Sequence, residues 1–293
     1  MNFSDTGKDI WTVKRILEWT AGYLASKGCQ TPRLDAEVLL AHCLKLTRVG
    51  LYLNLERPLS QSEKNSYRKL VIRRSTREPA SLIVGSKEFW SLPFKVLEGV
   101  LIPRPDSETL VEVVIEELRH FRNPLALEIG VGSGAISISV LRENSDTTVV
   151  GTDINPLALE LAVRNAIDLG CGQRFLPLKA DLLSPFRICP IFDVIYSNPP
   201  YIPSNDISSL APEIVNFEPV DALNGGDDGL SIICHIIAES PKYLRKGGSL
   251  ILEIGDGQAE AVNKIIESGE LYDQTNFRRD LAGKIRVIKA SVK

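Results

Sequence analysis

The chain is short of the residues that most often announce a catalytic centre by themselves. Its 293 residues include three histidines and five cysteines. The cysteines (Cys29, Cys43, Cys171, Cys189 and Cys234) are odd in number and form no Cys-x-x-Cys pair. That excludes a disulfide framework and a zinc ribbon, and it fits reduced thiols in a cytoplasmic protein. His42, His120 and His235 fall in segments with helical periodicity, so they are read as structural and leave no cysteine with a catalytic partner. Basic excess is missing too: 34 Lys and Arg stand against 37 Asp and Glu, for a net charge of −3. A partner held mainly through phosphates is therefore not expected, and neither is direct contact with nucleic acid. No apolar run is long enough to span a bilayer. The opening Met1-Asn2-Phe3-Ser4-Asp5 is polar, so no signal peptide is expected. What remains is the composition of a globular protein, 44% hydrophobic and 24% charged, with length for one large or two ordinary domains.

The pattern changes near residue 85. Before it, Ile10, Val13, Ile16, Leu17, Tyr23 and Leu24 recur at helical spacing up to Gly28. Pro32 opens a second helix whose apolar side reads as Leu34, Val38, Leu39 and Leu44. Ser60-Gln61-Ser62-Glu63 is a capping box for a third, running to about Thr76. Its Arg68, Lys69, Arg73, Arg74 and Arg77 read as a solvated basic face, with a binding patch as the alternative. Residues 86–103 read as a hairpin linker. From residue 104 to 293 strands and helices alternate. Strands fit near 125–130, 147–152, 174–179, 191–197, 249–254, 271–276 and 284–290, and helices near 106–121, 134–143, 156–169, 230–245 and 257–267. The expected fold is therefore α/β, a doubly wound and mainly parallel seven-stranded sheet, behind an all-helical domain at 1–85. The last two strands have no clear helix between them, which implies one antiparallel strand at or near an edge.

Two motifs carry chemistry. Leu125 to Ile129 reads as a strand running into Gly130-Val131-Gly132-Ser133-Gly134, after which a helix begins. Glycines there permit tight turning and close approach of a ligand to the main chain. The next strand ends at Asp153, an acid placed to accept from ribose hydroxyls. Glycine spacing alone also fits a dinucleotide fingerprint, so a nicotinamide cofactor competes with S-adenosylmethionine. Glu128, two residues before the first glycine, suits a ligand carrying an ammonium and a sulfonium rather than a pyrophosphate. Asp181, ending the segment from Arg174 to Ala180, is placed to face an adenine amino group. The second motif, Asn198-Pro199-Pro200-Tyr201, follows the apolar strand 191–197. Prolines lack an N–H and fix their own φ, leaving carbonyl acceptors in a rigid turn. With the Asn198 side-chain carbonyl, two acceptors can grip one NH2 group, and Tyr201 adds a flat face. As a bare turn, the tetrapeptide would be ordinary. Beside a site for a cationic methyl donor, it implies methylation of an amino or amide nitrogen.

The chain resembles the protein-(glutamine-N5) methyltransferases acting on peptide chain release factors. Ile102-Pro103-Arg104-Pro105-Asp106-Ser107-Glu108, Glu128-x-Gly130-x-Gly132-x-Gly134 and Asn198-Pro199-Pro200-Tyr201 carry the resemblance. So do Phe89-Trp90, Phe217-Glu218-Pro219, Gly225-Gly226-Asp227-Asp228-Gly229-Leu230 and Asp280-Leu281-Ala282-Gly283-x-x-Arg286-Val287. Near the start, Pro32-Arg33-Leu34-Asp35-Ala36-Glu37 and Arg73-Arg74 extend it over nearly the whole chain. A sister group that modifies a ribosomal-protein glutamine differs after Ile-Pro-Arg, and DNA adenine methyltransferases share only the Asn-Pro-Pro-Tyr turn.

The resemblance implies a class I, Rossmann-like methyltransferase fold. It implies transfer of a methyl group from S-adenosylmethionine, without a metal, to the glutamine of a release factor's Gly-Gly-Gln tip. Gly130, Val131, Gly132, Ser133, Gly134, Asp153, Asp181, Leu182 and Asn198 would hold the donor. Asn198, Pro199, Pro200 and Tyr201 would hold the substrate, with Asn198, Pro199 and Tyr201 as the catalytic set. Leu182 stands where some members carry tryptophan. Arg104 and Glu108 read either as a surface pair supporting the next helix or as groups that close the site. The protein is expected to act as a monomer, its helical domain recognising the release factor.

Overall fold

The computed structural model describes residues 10–293, so the reading of residues 1–9, including the polar start, lies outside the described residues. The chain forms two compact units. One comprises the described residues up to Ser86 together with Pro212–Phe217, and the other Lys87–Ala211 with Glu218–Lys293.

The first unit is built from α1 (Val13–Ser26), α2 (Pro32–Leu44), α3 (Arg48–Tyr52), α4 (Gln61–Ser75), α5 (Ala80–Val84) and, from far along the chain, the single helical turn Pro212–Val215. Thr12 caps α1, its hydroxyl accepting from the Arg15 N–H at 3.3 Å, and Val13, Ile16, Leu17 and Leu24 are buried as their spacing predicts. Ile10 lies before the helix and is exposed. The expected capping box of α4 is present, with Ser60 and Glu63 satisfying each other's backbone N–H. Helix α2 departs from its predicted face: Ala36, Leu39 and Leu40 are buried, whereas Leu34 is exposed. The cause is two buried carboxylates. Asp35 accepts from Arg74 at 2.8 Å, and Glu37 from Arg33, Arg48 and Tyr52. Arginine pairing puts charged residues where spacing alone would seat aliphatics.

The basic face read on α4 is also corrected. Arg73 pairs with Glu78. Arg74 is only 4% exposed, and besides Asp35 it donates to Glu213 at 2.8 Å. Arg77 donates to the same carboxylate at 2.7 and 2.5 Å. Burial alone would raise the Glu213 carboxyl, but hydrogen bonds from Arg77 and Arg74 outweigh it and hold the group at about 2.

In the second unit the hairpin β1 (Ser86–Phe89) and β2 (Leu92–Lys95) precedes α6 (Glu108–Leu118). Its Phe89 and Phe94 are buried in the core of this unit, so the segment read as a linker packs as part of it. Then come β3 (Leu125–Ile129), α7 (Ala135–Glu143), β4 (Thr148–Asp153), α8 (Pro156–Asp168), β5 (Phe175–Lys179) and β6 (Phe192–Ser197). After a long excursion follow α9 (Ser231–Glu239), β7 (Leu244–Glu253), α10 (Ala259–Ser268), β8 (Tyr272–Arg279) and β9 (Ile285–Val292). The seven strands are ordered β5-β4-β3-β6-β7-β9-β8. Strands β3 to β7 pair in parallel, while β9 runs antiparallel to both β7 and β8. The helix expected to reach residue 245 stops at Glu239, where Pro241 cannot continue it, and β7 starts at Leu244.

Period-two alternation sorts the strands onto two cores. Ala126, Val194, Tyr196 and Ile251 face residues of α6, α7 and α8. Leu127, Ile129, Ile195, Leu250 and Leu252 face α9 and α10. Connections leave β3 for β4 on one side and return to β6 on the other, so strand order reverses between β3 and β6. Open α/β sheets bind ligands outside the carboxyl ends of the strands at such a reversal. Both chemical motifs lie there.

Candidate active site

The glycine segment turns sharply off β3. Gly130, Gly132 and Gly134 have φ of 76°, 53° and 82°, values that a side chain resists. They do different jobs. A Cβ on Gly134 would lie 2.9 Å from Ile138 and 3.1 Å from Ala162, so this glycine lets α7 pack against α8. At Gly130 and Gly132 a Cβ would meet nothing within 4 Å, leaving their main chain open towards a cleft. That cleft is lined by Glu128, Gly130, Val131, Gly132, Ser133 and Asn198, with Phe89, Arg104 and Ser107 among its other walls.

Glu128 is 1% exposed and forms part of the cleft wall rather than its mouth. Its Oε2 accepts from the Ser137 N–H at 3.0 Å and from the Ser137 hydroxyl, which also meets Tyr196. Its Oε1 is buried with no partner. Burial pushes the carboxyl up to about 8 against the opposing hydrogen bonds from Ser137. An orphaned carboxylate oxygen beside open glycine backbone is the arrangement that an ammonium-bearing ligand satisfies. The residues present therefore fit the amino-acid end of S-adenosylmethionine.

Asp153, at the end of β4, accepts from the Gly132 N–H at 2.8 Å and the Asn155 N–H at 2.9 Å. Burial raises its pKa, while these backbone bonds oppose the rise. It thereby pins the glycine loop and keeps lone pairs in reserve. The Ala180 N–H donates to the Asp153 carbonyl at 3.0 Å, which brings Asp181 alongside it. Asp181 is exposed, and Leu182 takes a left-handed φ of 50° that turns the chain back onto the sheet core.

The Asn198 turn is fixed from several sides. The Ser197 hydroxyl donates to the Ile129 carbonyl at 2.7 Å, tying the ends of β6 and β3 together. Pro199 is buried, and Pro200 and Tyr201 are partly so. The Tyr201 carbonyl accepts from Gln258 at 3.0 Å, and its hydroxyl reaches Glu253 at 3.4 Å. Asn198 Nδ2 donates to Ser107 Oγ at 3.1 Å, so its Oδ1 is the end left to accept. Of the predicted residues, Gly130 to Ser133 and Asn198 share the cleft. Asp153 attaches to it through the loop, Asp181 follows Ala180 beside Asp153, and Pro199, Pro200 and Tyr201 continue from Asn198.

Arg104 and Glu108 form neither the expected surface pair nor a matched lid. Arg104 lines the cleft and donates to both oxygens of Glu218 at 2.7 Å. Glu108 accepts from the Trp90 N–H at 2.8 Å, holding the hairpin turn where Trp90 and Ser91 have φ of 53° and 55°. Sequence reasoning gave no role to Phe89, Ser107, Glu218 or Glu253. The available signal was a carboxylate ending an apolar strand: Ile251-Leu252-Glu253 repeats the pattern of Ala126-Leu127-Glu128. His42, His120 and His235 are all exposed, and His120 lies just beyond α6.

Comparison with known proteins identifies the family. Residues 15–85 match the family model for the PrmC N-terminal domain, and residues 105–217 that for the methyltransferase small domain. The release factor glutamine methyltransferase of Geobacter sulfurreducens is 44% identical over 254 residues, covering 87% of this chain and 88% of the relative. That of Rhodopirellula baltica is 36% identical, covering 97% and 98%. Among solved structures, the hMettl16 catalytic domain superposes with a TM-score of 0.56 at 15% identity, covering 80% of this chain and 84% of that one, a likeness of fold alone. With such identity over nearly its full length, the chain belongs to the release factor glutamine methyltransferases.

Proposed function

We propose that this protein methylates the side-chain amide nitrogen of the glutamine in the Gly-Gly-Gln tip of peptide chain release factors, and so acts on translation termination. Membership of the family supports the reaction and the substrate class. One observation carries the assignment of the site: Asn198 gives its Nδ2 to Ser107, and Oδ1 is left as an acceptor beside the glycine cleft. S-adenosylmethionine supplies an electrophilic methyl group on a sulfonium. Glu128 would hold its ammonium, Gly130 to Gly134 its backbone-facing side, Asp153 its ribose, and Asp181 with Leu182 its adenine.

The substrate nitrogen is a poor nucleophile because its lone pair is delocalised into the carbonyl. Asn198 Oδ1 and the Pro199 carbonyl accept its two N–H bonds, fixing its orientation and stabilising the positive charge that grows as it attacks. Orientation of this kind is worth up to about 7–11 kcal/mol. Tyr201 offers its ring as a wall for the planar amide. Its hydroxyl, pushed up by burial and by Glu253, stays a neutral hydrogen-bonding group.

The helical unit is proposed to recognise a second region of the release factor, since a loop tip offers less than the roughly 800 Å² per partner that specific association uses. Arg74 and Arg77 are committed to Glu213 and Asp35, so exposed positions such as Lys69 would carry any charge contact. No helix among the described residues is long and apolar enough to cross a membrane, and the enzyme is proposed to act as a cytoplasmic monomer. Incubation with labelled donor and whole release factor, followed by mass spectrometry of the tryptic peptides, tests the proposal. One added methyl on the Gly-Gly-Gln glutamine is expected. Label in DNA or a ribosomal protein, and none in the factor, would overturn it.

A further inference from the structure

Asn198 is useful as an acceptor only if its amide is held the right way round, and the structure contains a device that can hold it. Ser107, in the tight turn Pro105–Ser107, is 3% exposed and accepts from Asn198 Nδ2 at 3.1 Å. Close by is Glu253, the last residue of β7, which is fully buried and whose carboxyl the Ser107 hydroxyl helps to hold down. Glu253 Oε2 is buried without a hydrogen-bond partner, a carboxylate oxygen that the Ser107 proton can satisfy. Three further groups face Glu253: the Tyr201 hydroxyl at 3.4 Å, Arg286 of β9 and Asp106 of the same turn as Ser107. Arg286 is shared between Asp106 at 3.1 Å and Asp280 at 3.2 Å, so it does not neutralise Glu253 alone.

A hydroxyl has one proton. While Ser107 gives it to an ionised Glu253, Ser107 can only accept from Asn198, and the amide must point Oδ1 away from it. Once Glu253 is protonated, the serine proton is released from that demand and can be donated to Asn198 Oδ1. The amide then turns over and presents NH2 to the substrate's own NH2, two donors that cannot bond. We infer that Glu253 is a positioning residue that acts through Ser107 to set the polarity of the Asn198 amide, its ionised form being the one that supports methyl transfer. Glu253 touches neither reacting atom. The inference rests on the reading of Asn198 as the acceptor of the substrate amide.

The working range follows from the environment. Burial pushes the Glu253 carboxyl up to about 7, with Ser107 and Arg286 opposing the rise and Asp106 adding to it. The ionised fraction, and with it the turnover number, rises with pH through that value.

The test is the pH dependence of kcat with whole release factor at saturating donor. Saturation matters because Glu128 titrates nearby and acts on donor binding. Wild type is expected to show a limb near pH 7. Glu253→Gln and Ser107→Ala should both lose that limb and fall roughly tenfold or more in kcat well above neutrality. The KM for the donor should stay unchanged in both, and calorimetry with the demethylated donor should confirm that each is folded. Ser107→Thr keeps the hydroxyl and should restore both rate and limb. Wild-type kcat and an intact limb in Glu253→Gln or Ser107→Ala would overturn the inference, as would failure of Ser107→Thr to recover. An Asn198→Ala arm separates the layers. If it turns over normally, the acceptor reading itself fails; if it is dead while the other two behave as wild type, only the relay fails.

Discussion

Buried carboxylates in the helical unit and in the catalytic unit behave oppositely. Glu37 and the partly buried Glu213 are held below the usual range because hydrogen bonds outweigh burial, from Tyr52, Arg48 and Arg33 to Glu37 and from Arg77 and Arg74 to Glu213. Glu128 and Glu253 are pushed up to about 8 and about 7, with hydroxyls and backbone rather than arginine at hydrogen-bond distance. Burial alone therefore does not mark a functional acid. What marks Glu128 is burial without a matched counter-charge, facing a cleft where a ligand can supply one. The first kind of carboxylate holds helices together, whereas Glu128 lines the cleft.

The contrast can be broken first at its structural end. Arg74→Ala leaves Asp35 buried without its guanidinium and should cost about 3–5 kcal/mol of stability, read by urea unfolding. Donor binding by whatever fraction remains folded should be normal; a lost donor site with unchanged stability would erase the distinction. Next, Asn198→Ala should lose about 2.7–4 kcal/mol of transition-state stabilisation in single-turnover methylation, with its unfolding midpoint little changed. Wild-type turnover by the folded variant would remove Asn198 from the chemistry. Glu128→Gln sharpens the functional end. It replaces a carboxyl that burial keeps largely protonated in the empty protein near neutrality, so stability should hold or rise. Donor affinity should drop by about 1.5–3 kcal/mol in calorimetry, the value of a charge-assisted hydrogen bond.

The smallest effect is in protons. A cationic donor should pull the Glu128 pKa down from about 8, so binding near neutrality should release a fraction of one proton. Binding enthalpies measured in buffers of different ionisation heat would reveal it, and proton uptake would contradict it. Stability should also depend on pH with opposite sign in the two units. Glu213, lowered to about 2, contributes stability that is present above its ordinary value of 4.5 and lost as pH falls through its folded value. Glu128 and Glu253, raised above 4.5, contribute stability that is present below 4.5 and lost as pH rises through about 7 and 8. Hydrogen exchange resolved along the chain would separate the two trends.

Much of this was legible in the sequence, for local reasons. Alternating apolar residues announced the strands, and the two motifs fell at strand ends because glycine, proline and asparagine have conformational meaning wherever they stand. The antiparallel strand near the edge followed from a connection too short for a crossover helix, and β9 is that strand. What escaped depends on partners distant in the chain. Nothing near Leu34 reveals that Asp35 and Glu37 take the buried positions of α2, because Arg74 lies 39 residues beyond Asp35. The pairing of Arg104 with Glu218 spans 114 residues. Ser107 and Glu253 likewise meet only through the finished sheet, so a hydroxyl in a turn and an acid ending a strand gave no sign of each other.

The six residues Pro212–Phe217 have a bearing on biosynthesis. They belong to the first unit although they follow its last helix by more than a hundred positions, and Glu213 is the shared acceptor for Arg74 and Arg77. As the chain leaves the ribosome, the N-terminal helices are made first, yet two of their arginines must wait until most of the protein has emerged. The first-made part of the enzyme is therefore among the later parts to be completed. A nascent chain arrested before residue 213 should show those helices loosely held, and one arrested beyond Phe217 should show them locked.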